Sequence, residues 1–243
     1  MTKINVKGPI VSNDSAWLYR WLGWDACCVN DINTGLESAN GDDVVIEVNS
    51  QGGLCTAGFE MYSTIKQYEG NVEVHVINAC SAATFILCAA DKVLMSDAAV
   101  VMIHNTQSSW GGGDYRDAQM TADMLREFNE SVLNVYEKKT GKSREELQAM
   151  MDNDTFMSPQ TAIEFADGML FEDEKDDESS QMNFIEASKQ MAVYNSTLPV
   201  ISDEKAHELM LLLNSGKLPE RKVPDDLNSN KADNPSENAD TNN

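Results

Sequence analysis

The sequence predicts an α/β fold with parallel strand pairing. Two observations carry the prediction. Short β-rich runs alternate with apolar-striped helical segments at the spacing of βαβ units. The run Val72-Glu73-Val74-His75-Val76-Ile77 alternates strictly, valines on one face and Glu73, His75 and Ile77 on the other. A third feature adds to the class: one long amphipathic helix over residues 115–139 projects from the α/β unit and is a candidate oligomer contact.

The elements follow in order. Residues 3–10 read as a short strand. Ser12, Asn13 and Asp14 can cap a helix carrying Trp17, Leu18, Trp21 and Leu22. Residues 44–48 form a strand, and 57–68 a helix with Phe59, Met61, Ile65 and Tyr68 largely on one side. After the strand over 72–77, a small-residue turn leads into residues 82–90. These are apolar all round, so that helix is buried. Residues 93–95 and 99–103 read as two strands. In the long helix, Ala118, Ala122, Leu125, Phe128, Val132 and Tyr136 recur at intervals of three or four, and Gly141 ends it. Ser143-Arg144-Glu145-Glu146 is a capping box for the next helix. Ser158-Pro159 starts another, with proline at its first position, and Gly168 closes it.

One domain is expected over residues 1–171, followed by an acidic extension over 172–243. Every residue from 172 to 178 is charged (Glu-Asp-Glu-Lys-Asp-Asp-Glu), which marks a solvated linker. Two short helices are expected beyond it, around 181–194 and 203–213, with Gly216 stopping the second. From Pro219 onward Asn, Asp, Ser, Pro and Lys dominate, and the tail is expected to be disordered.

Composition excludes several function classes. The chain has 243 residues, of which 42% are hydrophobic, enough for one ordinary core plus an appendage. Its net charge of −22 repels phosphate backbones and anionic lipid, so neither nucleic acid nor membrane is expected as a partner. Cys27, Cys28, Cys55, Cys80 and Cys88 are odd in number and contain no C-x-x-C pair, which fits neither a disulfide framework nor a zinc site. No metal or cofactor is expected, and a reducing cytoplasm fits best. The N-terminus is too polar for a signal peptide, and no apolar run reaches transmembrane length.

The chemistry is sought at Ser81. It stands where a β-rich run gives way to a buried helix, a junction that exposes a hydroxyl beside fresh helix N–H groups. Three histidines could serve it. His75 lies on the polar face of its strand, and His207 in the solvated extension. His104 ends the apolar run 98–103, at the carboxyl end of a strand, where open parallel sheets place catalytic groups. Gly52 and Gly53 leave a strand and enter a turn before a helix, and there a backbone N–H can be offered to an oxyanion. Cys80 competes with Ser81, since a thiol beside a helix N-terminus can be reactive. Asp152 and Asp154, just before a helix, are both available to orient a histidine, and composition does not choose between them.

Taken together, Asn49-Ser50-Gln51-Gly52-Gly53, Cys80-Ser81-Ala82-Ala83, Met102-Ile103-His104-Asn105 and Asp154-Thr155-Phe156-Met157-Ser158 occur in order. This resembles the ClpP family of serine peptidases, and in particular its phage-encoded branch of head-maturation proteases, over roughly residues 4–171. The resemblance implies a ClpP/crotonase-like spiral of βαβ units with a protruding long helix. It implies a triad of Ser81, His104 and Asp154, an oxyanion hole from the N–H groups of Gly53 and Ala82, and an extended substrate along the Gly52–Gly53 strand edge. It also implies a homo-oligomeric ring, a heptamer or stacked tetradecamer, acting on capsid or scaffold proteins. Gln51 stands where housekeeping members carry proline, Cys80 where they carry alanine, and 110–113 (Trp-Gly-Gly-Gly) is unusual. The N-terminus shows no counterpart of the segment that engages an unfoldase ring, which counts against an ATPase partner. The acidic extension suits a fusion of peptidase and scaffold-like tail, cleaved or shed in assembly.

Overall fold

Valine alternation builds the sheet at the centre of the molecule. The computed structural model describes residues 1–109, 112–170 and 203–215. Its strands are β1 (Thr2–Lys7), β2 (Val44–Ser50), β3 (Val72–Cys80), β4 (Lys92–Ile103), β5 (Thr155–Met157) and β6 (Gly168–Met169). They form a six-stranded sheet in the order β1-β2-β3-β4-β5, with β6 also paired to β4. β1 to β4 run parallel, as does the β4–β6 pair, and β5 is antiparallel to β4. This is the α/β class with a parallel sheet that the alternation predicts.

The helices are α1 (Asn13–Leu22), α2 (Val29–Ala39), α3 (Cys55–Lys66), α4 (Thr84–Ala89), α5 (Tyr115–Thr140), α6 (Arg144–Asp152) and α7 (Asp203–Asn214). Val44, Ile46, Val48, Val74 and Val76 point to the covered face of the sheet and are fully buried, each worth about 1.5–3 kcal/mol relative to exposure. α2, α3 and α4 supply the cover, with Ile32, Met61, Ile86 and Leu87 packed into one core. The other face is only half-buried and carries the ion pairs Lys3–Glu47–Lys7 and Glu73–Lys92, with His75 hydrogen-bonded to Glu73.

Two helix starts carry the expected serine caps, but the capping box at Ser143 is only half made, because the Glu146 carboxylate pairs with Lys142. Ser12 Oγ accepts from Ser15 N, and Ser143 Oγ from Glu146 N. The α2 helix was not expected from the sequence; its stripe of Val29, Ile32, Leu36 and Ala39 closes the core over β1. Residues 92–103 form one strand rather than two. Met95 pairs with Val76 and Val100 with Asn78, so the intervening residues bulge without ending the strand.

The helix expected from Ser158 to Gly168 does not form. The chain makes a single turn, with Ser158 O accepting from Thr161 N and Ala162 N, then a short 3₁₀ segment, Ile163–Phe165. Pairing with β4 overrides the proline start: Asp167 N donates to Val93 O at 2.8 Å, Leu170 N donates to Met95 O at 2.7 Å, and Gly168 opens β6 rather than closing a helix. The boundary expected at 171/172, the helix expected over 181–194 and the tail beyond Pro219 lie outside the described residues. The chain divides into two units, Met1–Ala206 and His207–Asn243; the sheet lies in the first. Among the described residues no helix is long and apolar enough to cross a membrane.

Candidate active site

β3 and β4 leave the sheet side by side, Cys80 paired with Met102, and the two strand ends carry Ser81 and His104. A register shift at Ile77 changes which residues of β3 face the core. Upstream of it burial alternates; beyond it Asn78, Ala79 and Cys80 are all buried. The chain then turns sharply at Ser81 into a 3₁₀ segment, Ser81–Ala83, that runs on into α4. Ser81 has φ +54°, a left-handed conformation costing a serine on the order of 1–3 kcal/mol. The turn lifts its hydroxyl out of the core, and Ser81 is half-buried where the nine residues after it are all buried.

His104 Nε2 lies 2.6 Å from Ser81 Oγ. The ring is half-buried, and desolvation holds its pKa below the ordinary histidine value while the charge of Asp154 acts in the opposite direction. The net effect keeps the imidazole neutral at neutral pH, with Nε2 free to accept a proton.

The β4–β5 register decides which acid lies beside His104. Val101 pairs with Met157, Met102 with Phe156 and Ile103 with Thr155. Continuing that antiparallel register by one residue sets Asp154 opposite His104. Asp154 follows the α6 C-terminus at φ +45°, and its charge acts on the imidazole. Asp152 is engaged elsewhere: its Oδ1 accepts from Asn105 Nδ2 at 2.8 Å and from Gln148 Nε2 at 2.7 Å. The structure thus separates two acids that composition left equivalent.

The glycines are required by contact. Gly52 passes directly over the serine turn with φ +86°, and a Cβ there would lie 2.5 Å from Cys80 O and 2.8 Å from Ala82 N. A Cβ on Gly53 would lie 2.1 Å from Ile10 O. Ile10 N donates to Gly52 O and Leu54 N donates to Ile10 O, so Gly53's own N–H is left outside that pairing. The N–H of Ala82 belongs to the first turn of its helix, where donors have no partner within the helix. Ser50, fully buried, braces the loop: its Oγ accepts from Gly52 N at 3.0 Å and donates to Gly8 O at 2.7 Å.

Cys80 points the other way. It is completely buried, its Sγ contacts Asn78 Oδ1, and burial pushes the thiol up to about 12. A thiol so held is no nucleophile at neutral pH. His75 pairs with Glu73 on the outer sheet face, and His207 is an exposed position of α7.

Sequence reasoning did not find the polar side chains that reach the site from α4, α5 and α6: Thr84, Tyr136, Asn129 and Gln148. Thr84 stands inside an apolar run and Tyr136 on the apolar stripe of α5, both of which signal core, and no spacing rule marks Asn129 or Gln148.

Comparisons with known proteins bear on the same region. The model of the family described as Clp protease matches residues 32–170. The chain is similar to an ATP-dependent Clp protease proteolytic subunit 1 of Chlamydia muridarum (strain MoPn / Nigg). The two are 34% identical over 139 residues, 54% of this chain and 71% of that protein.

Proposed function

This chain belongs to the Clp protease family, and from that premise we propose that it is an ATP-independent serine endopeptidase in which Ser81, His104 and Asp154 form the triad. The observation that carries this is the 2.6 Å contact between His104 Nε2 and Ser81 Oγ at the carboxyl ends of adjacent parallel strands. Ser81 Oγ attacks the scissile carbonyl as His104 Nε2 takes its proton. The tetrahedral oxyanion is met by the N–H groups of Gly53 and Ala82. His104 then returns the proton to the leaving amine, and water repeats the sequence on the acyl-enzyme. Asp154 favours the tautomer with the proton on Nδ1 and stabilises the imidazolium through its charge. The substrate adds as a strand beside Gly52–Gly53.

For its biological role, we place the enzyme in phage head maturation, cutting capsid or scaffold proteins and itself as a homo-oligomeric ring. The long acidic stretch beyond the matched region supports this, because it reads as a scaffold-like extension. A second reading, a proteolytic subunit serving an ATP-driven unfoldase, is favoured by the name of the Chlamydia relative.

Expression of the full chain beside a phage major capsid protein, with and without Ser81→Ala, separates these. Head-maturation processing predicts truncation of the capsid protein or of the chain itself without ATP, lost in Ser81→Ala. Cleavage only with ATP and a co-purifying ATPase ring supports the second reading. Identical processing by both forms removes the serine peptidase.

A further inference from the structure

Two polar side chains of α5 reach opposite halves of the site. Tyr136 and Asn129 are seven residues apart, about two turns, and therefore share a face of the helix. Tyr136 is fully buried, locked between the rings of Phe85 and Phe165. Its hydroxyl lies 2.7 Å from Thr84 Oγ1, and Thr84 Oγ1 donates to the carbonyl of Ser81 at 2.6 Å. A threonine hydroxyl has one proton, so the phenol is the donor to Thr84. Burial raises the phenol's pKa, so it keeps that proton. The chain of donors runs from α5 through Thr84 to the backbone of the strained serine.

Asn129 holds the other half. Its Oδ1 accepts from Thr106 N at 2.8 Å and from Thr106 Oγ1 at 2.9 Å, and its Nδ2 donates to Asn105 Oδ1 at 2.9 Å. Asn105 in turn donates to Asp152 at 2.8 Å. These are the residues that follow His104 and that lie two positions before Asp154. One face of one helix therefore fixes the exit of β4 and the turn after β3.

We propose that Tyr136, through Thr84, and Asn129, through Asn105 and Thr106, are positioning residues that set the spacing of Ser81 and His104 from α5. Neither touches the reacting atoms. Tyr136 holds Thr84, whose hydroxyl donates to the Ser81 carbonyl, which keeps Ser81 in its left-handed turn and the serine hydroxyl aimed at Nε2. Asn129 holds the segment just past His104, which keeps the ring from drifting along the strand axis. A displacement of either by about 1 Å is enough to cost up to about 100-fold in rate. The inference rests on the serine-peptidase reading and adds residues that the triad does not contain.

The test is the inactivation kinetics of the full chain with a fluorophosphonate probe, resolved into KI and kinact, with a thermal midpoint for every variant. Thr84→Val alone leaves the buried phenol without its acceptor, so the informative variant is the double Thr84→Val/Tyr136→Phe, which removes both partners and stays close to neutral for folding. It and Asn129→Ala are expected to lower kinact about 10- to 100-fold with KI and thermal midpoint nearly unchanged. Thr84→Ser, which keeps the donor, is expected to recover most of the rate. Wild-type kinact in both folded variants overturns the proposal, as does a loss that merely follows the unfolded fraction. If the wild-type chain itself takes no label, the serine-peptidase reading falls, and the positioning role falls with it.

Discussion

Ser81 carries two requirements that oppose each other. A nucleophile needs an exposed hydroxyl, yet it stands between a fully buried cysteine and a buried helix. The left-handed turn at φ +54° meets both, and the neighbours on each side are what hold it there. Ser81→Ala is expected to lower peptide cleavage by about 10⁴–10⁶ and to abolish fluorophosphonate labelling; in-gel fluorescence and mass spectrometry of the labelled peptide check this. Cys80→Ala is expected to leave labelling intact, because the thiol faces the core with its pKa pushed up to about 12. The pH profile reports on His104. Its pKa is depressed chiefly by desolvation, so the imidazole stays neutral, and labelling persists, at pH values below the ordinary histidine range. The rate falls only as pH drops through that lowered value. Asp154 raises the pKa, so Asp154→Asn is expected to move the acid limb to still lower pH while cutting the plateau rate by about 10⁴. An acid limb that moves upward in Asp154→Asn would show that the carboxylate does not act on this ring.

Among the elements, the link from β2 into α3 bears most directly on the site, and Gly52 is its critical position. Alanine there meets backbone atoms on two residues, Cys80 O at 2.5 Å and Ala82 N at 2.8 Å, which cannot rotate away. A destabilisation of about 3 kcal/mol, from strain and overpacking together, corresponds to a fall of roughly 6–12 °C in the thermal midpoint. Calorimetry of Gly52→Ala checks it, and labelling of the surviving folded fraction is expected to drop because the serine turn must shift. The parallel sheet was readable because valine alternation survives in β2 and β3 and because βαβ spacing admits few topologies. His104 was found beside Ser81 by elimination among three histidines. Asp154 was not separable from Asp152 by local pattern, since which of the two lies opposite His104 is set by the register of a three-residue antiparallel strand. The helix expected at 158–168 failed for a related reason: local start and stop signals do not encode the pairing of Asp167 and Leu170 with β4. Tyr136 and Thr84 read as core because they are core, and their hydrogen bonds add a role that periodicity does not record.

At the scale of the whole molecule, assembly and charge pull against each other. The C-terminal half of α5 is anchored through Val132, Leu133 and Tyr136, while Tyr115, Met120 and Met124 in its N-terminal half are exposed at 81%, 68% and 44%. Apolar side chains in that position are a candidate contact between copies, in line with the oligomeric rings typical of the family. Each copy carries a net charge of −22, so ring closure brings strongly acidic surfaces together. Salt shortens the reach of that repulsion from about 30 Å at 0.01 M to about 10 Å at 0.1 M, while the apolar contact is not weakened by it. The fraction of chain in a heptamer or tetradecamer is therefore expected to rise with ionic strength over this range, read by sedimentation velocity or mass photometry. Met120→Glu/Met124→Glu replaces the apolar contact with two more like charges and is expected to shift the population to monomer at every salt concentration. The monomer is expected to stay folded, because neither methionine packs into the core. An assembly that weakens as salt is added would mean that ion pairs, not the apolar half of α5, close the ring, and an assembly unchanged by both substitutions would remove this helix from the interface.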